Sequence, residues 1–201
     1  MKTFVFYLKQ LFLPVMYTIF AMCIALGILC ITDPSLLWLK VVLIVLNLGL
    51  WGFIFVVNYE KEGEKALKVR IANDFERRHI IETGDDRPLN LCAEYKPWKG
   101  FVIGIVACAP LILLLIAHTI IILIDPEYLI IGGVSSFMYM SVFGFYFIDT
   151  SIKLTAASFY FSLVYIPFAV CTIGIPYYFG GKKIEAQQRA IEQKHREIYG
   201  E

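Results

Sequence analysis

Charged residues are scarce in this sequence and unevenly spread along it. Of its 201 residues, 17% are charged and 59% are hydrophobic, and the mean hydropathy is +0.69, whereas an ordinary soluble domain is about one quarter charged. Lys40 is the only charged residue in five stretches, which comprise residues 11–32, 36–58, 100–124, 128–148 and 154–180. This scarcity excludes a soluble globular domain, a disordered chain and a disulfide-stapled secreted domain. It predicts an all-α, polytopic helical membrane protein.

Motifs of catalytic and cofactor sites are also lacking. The sequence has no glycine-rich loop ending in Gly-Lys-Ser/Thr, no His-Glu-x-x-His and no Gly-x-Ser-x-Gly. Its five cysteines form no closely spaced metal-binding pair, and the four that lie in apolar stretches are Cys23, Cys30, Cys108 and Cys171. No carboxylates cluster inside the apolar stretches, as they commonly do in proton-coupled carriers. We therefore expect a protein without enzymatic activity, metal site or cofactor.

Each of the five apolar stretches is long enough to cross a bilayer. A hydrocarbon core of roughly 30 Å needs about 20 residues at about 1.5 Å per residue. The apolar runs are continuous, and backbone groups in lipid must be satisfied within their own segment, so the stretches are predicted to be helices and not barrel strands. No small-residue cleavage site follows residues 11–32, which we interpret as an uncleaved first span.

Lysine and arginine gather in three regions, and this predicts the orientation. The connection 59–99 holds nine of them, the tail 182–201 holds five, and the amino-terminal region holds two. Two Asp-Pro pairs, at residues 33–34 and 125–126, predict tight turns with no basic residue in them. Because basic residues favour the cytoplasmic side of a membrane, both termini, the loop 59–99 and the tail are expected in the cytoplasm.

One apolar stretch must then fail to cross, since five crossings would place the tail outside. The stretch 128–148 is the weakest candidate, because glycine weakens a helix by up to about 1 kcal/mol and dense aromatics suit the interface. The glycine, serine and aromatic residues of this stretch include Gly132, Gly133, Ser135, Ser136, Phe137, Tyr139, Ser141, Phe143, Gly144, Phe145, Tyr146 and Phe147. We predict a re-entrant or interfacial segment there. The four spans in the single membrane domain 1–201 are then 11–32, 36–58, 100–124 and 154–180.

Helical extensions are predicted in the loop and in the tail. The loop should continue the second span as a helix until residues 84–88 break it, with Glu64–Lys68 and Asp74–Arg78 as ion pairs four residues apart. The loop has nine acidic residues against its nine basic ones, and this balance argues against nucleic acid as a partner.

An apolar stripe runs along each extension. The stripes are Leu67, Ile71 and Phe75 in the loop and Ile184, Ile191 and Ile198 in the tail. In one interpretation the two extensions are solvated helices whose stripes pack on each other. In the other, the stripes form a binding surface for a protein partner.

Polar residues inside the apolar stretches are the candidates for an intramembrane site. His118 is an ionisable residue within the third span, where such residues are functional hypotheses by default, although a structural hydrogen bond to Thr119, a neighbouring helix or water is an alternative. Asn47 is expected to form an interhelical hydrogen bond. Pro110 should kink the third span. Ser135 and Ser136 would join His118 and Asn47 if the protein held a solute.

Two short sequences carry a resemblance. The run Glu94-Tyr95-Lys96-Pro97-Trp98-Lys99-Gly100 and the closing run Lys194-His195-Arg196-Glu197-Ile198-Tyr199-Gly200 resemble juxtamembrane pieces of small uncharacterised membrane proteins of Gram-positive bacteria. The resemblance implies a multi-pass protein of a bacterial plasma membrane and no particular activity.

Two functions are favoured, and a membrane enzyme ranks third behind them. The first is an accessory or scaffolding subunit that binds a partner through the loop and the tail. The second is a small-solute carrier, or the substrate-binding subunit of a transporter, with its site at the intramembrane polar residues.

Overall fold

The described part of the chain is an all-helical structure with short connections. The computed structural model describes residues 2–84, 89–143 and 156–199; it is 88% helical, and no strand occurs in these ranges. Six α-helices lie within these ranges. In chain order they are α1 (Lys2–Leu29), α2 (Leu37–Thr83), α3 (Lys99–Ala107), α4 (Ala109–Ile124), α5 (Ile130–Met140) and α6 (Tyr165–Tyr199). Short 3-10 segments at Pro34–Leu36, Leu91–Ala93 and Ala156–Val164 connect them. The all-α prediction is confirmed.

Three helical segments are long and apolar enough to span a membrane. They are Phe4–Leu29, Pro34–Thr83 and Phe159–Tyr199. The pair α3 and α4 makes a fourth if the two helices are counted as one span, since they are bent by 41° at their junction. With 11 residues, α5 covers about 16 Å at 1.5 Å per residue, roughly half of a hydrocarbon core.

Local stop and bend signals act where the sequence predicts them. The bend between α3 and α4 lies at Cys108, directly before Ala109-Pro110, because proline lacks the amide hydrogen that would continue the hydrogen-bond ladder. Gly84 ends α2 with a φ of 75°, and its amide donates to the Ile80 carbonyl over 2.8 Å. Only glycine adopts this left-handed conformation without strain. The rest of the predicted break, 85–88, lies outside the described residues.

The helix boundaries differ from the apolar stretches in several places. α1 begins at Lys2, ahead of the stretch 11–32. α2 begins at Leu37 and runs without interruption through the rest of the stretch 36–58 into the loop. In the stretch 128–148 the structure has α5, followed by a turn at residues 141–143; residues 144–148 lie outside the described part. The stretch 154–180 starts as a 3-10 segment at Ala156 and becomes α-helical only at Tyr165.

Helices α2 and α6 form the central contact of the bundle. Each buries a row of residues four apart: Asn47, Trp51, Phe55, Tyr59, Gly63 and Leu67 on α2, and Tyr165, Ala169, Ile173, Tyr177 and Gly181 on α6. Rows of this spacing pack by interdigitation, which makes two helices cross at an angle and then separate. The row on α2 carries an aromatic cluster in which Trp51 stacks on Phe55 with ring centroids 3.9 Å apart.

Backbone meets backbone where α2 and α6 cross. A Cβ atom at Gly180 would collide with the Glu60 carbonyl, and one at Gly63 would collide with the Tyr177 carbonyl. Just beyond, Lys183 Nζ lies 3.0 Å from Glu60 Oε1 and 2.7 Å from Glu64 Oε1. At the other end of the contact, the rings of Trp51 and Tyr165 lie 5.6 Å apart. Residue numbers therefore rise together along both helices, so α2 and α6 run parallel. We call the end of the bundle that holds 59–84, 89–99 and 182–199 the polar end.

Candidate functional site

His118 is completely buried, and both of its ring nitrogens lack a hydrogen-bond partner among the described residues. Its ring packs edge-to-face on Phe159, with centroids 5.1 Å apart. A Cβ at Gly132 of α5 would collide with the imidazole, so the absence of a side chain there makes room for it. Thr119, the partner considered from the sequence, instead donates to the Leu115 carbonyl over 2.8 Å.

Asn47 makes interhelical hydrogen bonds of the kind expected from the sequence. Its Nδ2 donates to the carbonyls of Ser141 and Val142 at 3.3 and 3.2 Å, directly after the carboxyl end of α5. The Tyr17 hydroxyl lies within bonding distance of the Asn47 carbonyl, at 2.7 Å, and of its Oδ1, at 3.1 Å. Asn47 thus ties α1, α2 and α5 together, and these bonds leave little capacity for a ligand.

Ser135 and Ser136 are also buried and engaged. Ser135 Oγ donates to the Gly132 carbonyl over 2.9 Å, and Ser136 Oγ donates to the Phe159 carbonyl over 3.4 Å. Ser136 and His118 therefore meet at Phe159, whereas Asn47 lies beyond the other end of α5. The structure brings three of the four intramembrane candidates together and separates the fourth.

Four further buried donors lack a partner among the described residues, and the sequence analysis did not propose them as site residues. Trp51 Nε1, Tyr139 OH and Tyr165 OH lie close together in the interior, and the fourth donor, Tyr177 OH, lies beside Tyr95. The rings of Tyr139 and Tyr165 lie 4.9 Å apart, and those of Trp51 and Tyr165 lie 5.6 Å apart. An unmade hydrogen bond in an apolar interior costs roughly 1–3 kcal/mol. The sequence does carry a signal for Trp51, Tyr139 and Tyr165, because these residues lie inside the apolar stretches and not at the ends of those stretches.

The polar end is organised by the returning part of the loop. Glu94 Oε1 accepts from Asn73 Nδ2 at 2.9 Å and from Arg77 Nη2 at 2.6 Å. Arg77 also pairs with Asp74 at 2.7 Å. The predicted Asp74–Arg78 pair is thus replaced by Asp74–Arg77, one residue closer on the same helix. Glu64 pairs with Lys183 of α6 and not with Lys68, because the neighbouring helix offers a closer partner.

Tyr95 fastens this returning segment to both central helices. Its amide donates to the Ala66 carbonyl of α2 over 3.1 Å, and its hydroxyl donates to the Tyr178 carbonyl of α6 over 3.2 Å. Its ring stacks on Tyr177, with centroids 5.5 Å apart. Burial raises the pKa of Tyr95 to about 12, because loss of water disfavours the ionised phenol.

Lys99, which directly precedes the third apolar stretch, is turned inward. Its Nζ donates to the carbonyls of Cys92 and Glu94 and lies 4.5 Å from the centre of the Phe6 ring on α1. Trp98, in contrast, is 55% exposed, as expected of a side chain at a membrane interface. Lys99 therefore joins the amino-terminal end of α1 to the loop.

The ion pairs of the tail lie where it leaves the crossing. Hydrogen bonds from Lys183 to Glu64 and Glu60 raise the pKa of Lys183. A hydrogen bond to Glu185, at 2.8 Å, raises the pKa of Lys182.

At the opposite end of the bundle, the Ser35 amide donates to the Asp33 carboxylate and lowers the pKa of that group.

The six apolar candidates for partner binding divide into two groups. Leu67, Ile71 and Ile184 pack into the main hydrophobic core. Phe75, Ile191 and Ile198 are 66%, 67% and 74% exposed. The two predicted stripes therefore meet only near the crossing, and their outer residues stay uncovered.

No protein-family model, curated protein or solved structure matches this chain in the comparisons. The interpretation of the site therefore rests on its geometry.

Proposed function

We propose that this protein is a non-enzymatic accessory or scaffolding subunit of the plasma membrane, which docks a protein partner on its polar end. The observation that carries the proposal is the pair of helical extensions, which project beyond the apolar spans and keep Phe75, Ile191 and Ile198 exposed. Large apolar side chains in water at the end of a membrane bundle mark an interaction surface. The chemistry that fits is an amphipathic helix of a partner, whose apolar face would cover them.

The proposed topology has four spans, a partial segment at 128–148 and both termini in the cytoplasm. The parallel course of α2 and α6 supports it, because the Lys183–Glu64 contact requires the loop and the tail to lie on one side of the membrane. That arrangement needs an even number of crossings between the loop and the tail. The pair α3 and α4 supplies one and α6 the other, which leaves α5 as the partial segment.

Cysteine accessibility tests this topology. Asp86→Cys and Ala190→Cys, each in a background without the native cysteines, should both resist an impermeant thiol reagent in intact cells and react after lysis. Labelling of Ala190→Cys but not of Asp86→Cys in intact cells would show that 128–148 crosses.

Partner capture tests the function. Full-length protein and the double variant Ile191→Asp/Ile198→Asp are purified in mild detergent and their co-purifying proteins quantified by mass spectrometry. We expect one or more proteins to be depleted at least tenfold from the double variant and kept by the control Gln193→Asp, which alters an exposed polar residue of the same helix. An unchanged protein set in the double variant contradicts the proposal.

The alternative function is a small-solute carrier or the substrate-binding subunit of a transporter. The observation that favours it is the set of unpartnered interior groups, namely His118, Trp51, Tyr139 and Tyr165, since a solute or water could satisfy them. His118→Gln should leave partner capture intact under the first proposal. A folded His118→Gln variant that loses a co-purifying small molecule would instead support the carrier.

A further inference from the structure

An open crevice lies beside the crossing of α2 and α6, with a volume of about 550 Å³. Its lining residues are Val56 and Glu60 of α2 and Ile175, Pro176, Phe179, Lys182 and Lys183 of α6. Crevices of roughly 300–1,000 Å³ are large enough for small organic ligands. None of the candidate residues predicted from the sequence lines this one.

The crevice crosses the boundary between the apolar and polar parts of the bundle. Val56, Ile175 and Phe179 are partly exposed in the apolar spans, whereas Lys182 and Lys183 stand at the polar end. From Ile175 to Lys182 the helix rises by about 10 Å, which covers the interfacial layer of roughly 5–8 Å in one bilayer leaflet. One molecule with an apolar chain and a polar headgroup would therefore match the crevice along its length.

The charges at the rim suit a headgroup that carries both signs. Lys182 Nζ pairs with Glu185 at 2.8 Å, and both side chains are accessible to water, so this pair contributes little to stability and leaves further N–H donors for a phosphate oxygen. Lys183 is held by Glu60 and Glu64. With these partners the rim has three carboxylates for two ammonium groups, an excess that disfavours a purely anionic headgroup.

Glu60 supplies the second half of the headgroup site. Its Oε1 accepts from Lys183 at 3.0 Å, and an ionised carboxylate has further acceptor positions. A primary ammonium group can donate to them, whereas a quaternary ammonium has no N–H and needs an aromatic cage; among the residues that line the crevice, Phe179 is the single aromatic one.

We propose that this crevice binds one aminophospholipid. Lys182 would contact its phosphate, Glu60 would accept from its primary ammonium, and Val56, Ile175 and Phe179 would line one acyl chain. Basic sites between membrane helices are known places of headgroup binding, and the carboxylate adds selectivity for the amine. This inference is independent of the partner docking proposed above.

Native mass spectrometry of the full-length protein tests the proposal. Delipidated protein in mild detergent receives phosphatidylethanolamine, phosphatidylglycerol or phosphatidylcholine at equal mole fractions, or soluble phosphoethanolamine. We expect phosphatidylethanolamine adducts to exceed those of the other two lipids severalfold and phosphoethanolamine to give none. Equal or stronger retention of phosphatidylglycerol would overturn the amine assignment, and binding of phosphoethanolamine would show a site for free phosphate compounds.

Two pairs of variants locate the binding. Lys182→Gln should lower the phosphatidylethanolamine adduct about tenfold, the effect of one charge-assisted hydrogen bond, whereas Lys194→Gln in the exposed tail should not. Val56→Trp fills the apolar part of the crevice and should also reduce the adduct, whereas Val45→Trp changes an exposed residue elsewhere on α2 and should not. Thermal unfolding confirms that each variant folds. Undiminished binding by folded Lys182→Gln and Val56→Trp would overturn the proposal.

Discussion

The extensions of α2 and α6 beyond the apolar spans differ in how much of their surface is buried by other parts of the chain. Along the α2 extension, Gly63, Ala66, Leu67 and Asn73 are buried, and the returning loop adds hydrogen bonds from Asn73 and Arg77 to Glu94. Along the α6 extension, every residue from 189 to 199 is exposed. Both extensions are amphipathic helices of mixed charge. The difference indicates that one is an internal part of the fold and the other is available to a partner.

The largest expected effect is a difference in stability between substitutions at the inner and the outer end of the tail stripe. Ile184 is buried against the core and Ile191 is exposed, so Ile184→Asp should destabilise the isolated protein by at least about 3 kcal/mol, because it removes an aliphatic contact and buries a carboxylate. Ile191→Asp should change stability by less than about 0.5 kcal/mol. Thermal unfolding in detergent measures both. Equal losses would mean that the outer tail is covered by its own chain.

A glycine pair tests whether the crossing holds the two extensions together. Gly180→Ala places a Cβ against the Glu60 carbonyl and should cost about 2 kcal/mol through overpacking. Gly52→Ala on α2 meets no atom within 4 Å and should be neutral or slightly stabilising, since alanine favours the helix. The readout is again thermal unfolding. Similar melting of both variants would contradict the close approach.

Removing the Glu94 carboxylate should loosen the α2 extension, so that its amide hydrogen exchange becomes more like that of the α6 extension. Glu94→Gln weakens the bonds from Asn73 and Arg77 and should cost about 1 kcal/mol. Amide hydrogen exchange should then quicken over residues 73–80 and 89–95. The matched change Glu197→Gln affects an exposed carboxylate that accepts a 3.4 Å hydrogen bond from Gln193, and it should leave the exchange at residues 73–80 unchanged. Exchange that stays slow at 73–80 in Glu94→Gln would show that the loop does not stabilise α2.

A pH dependence is expected from Tyr95 in the returning part of the loop. Tyr95 has its pKa raised from 10.0 to about 12 in the folded protein. Its contribution to stability is complete below pH 10 and is lost as the pH rises towards 12, because the unfolded chain ionises first. The unfolding free energy of the native protein should therefore fall relative to Tyr95→Phe over this range. Parallel curves would contradict the burial of Tyr95.

Unpartnered hydroxyls give a further comparison inside the bundle. Tyr17→Phe removes the hydroxyl that bonds to Asn47 and should destabilise by about 1 kcal/mol. Tyr165→Phe removes a hydroxyl without a described partner and should be neutral or stabilising. A destabilised Tyr165→Phe would reveal a bound water or solute and favour the carrier.

The features that could be predicted from the sequence are those encoded by neighbouring residues. The helical continuation of α2, its end at Gly84 and the bend before Pro110 follow from local backbone chemistry. The inward turn of Lys99 and the choice of Glu94 as partner of Arg77 depend on segments that meet only in the folded chain. The same holds for the exposure of Ile191, because the spacing of the three tail isoleucines gives no sign of where the crossing ends.

The crossing at Gly180 also has a mechanical consequence. From Gly180 to Tyr199 the helix extends about 28 Å, and from Gly180 back to Tyr165 about 22 Å. The shorter part is fixed, because α6 buries Tyr165, Ala169, Ile173 and Tyr177 along it, whereas residues 189–199 are exposed. The helix is therefore a cantilever that is clamped in the bundle and free at the tail. A partner that displaces the tail sideways would bend the exposed part and leave Tyr165 in contact with Trp51, so indole fluorescence should stay unchanged.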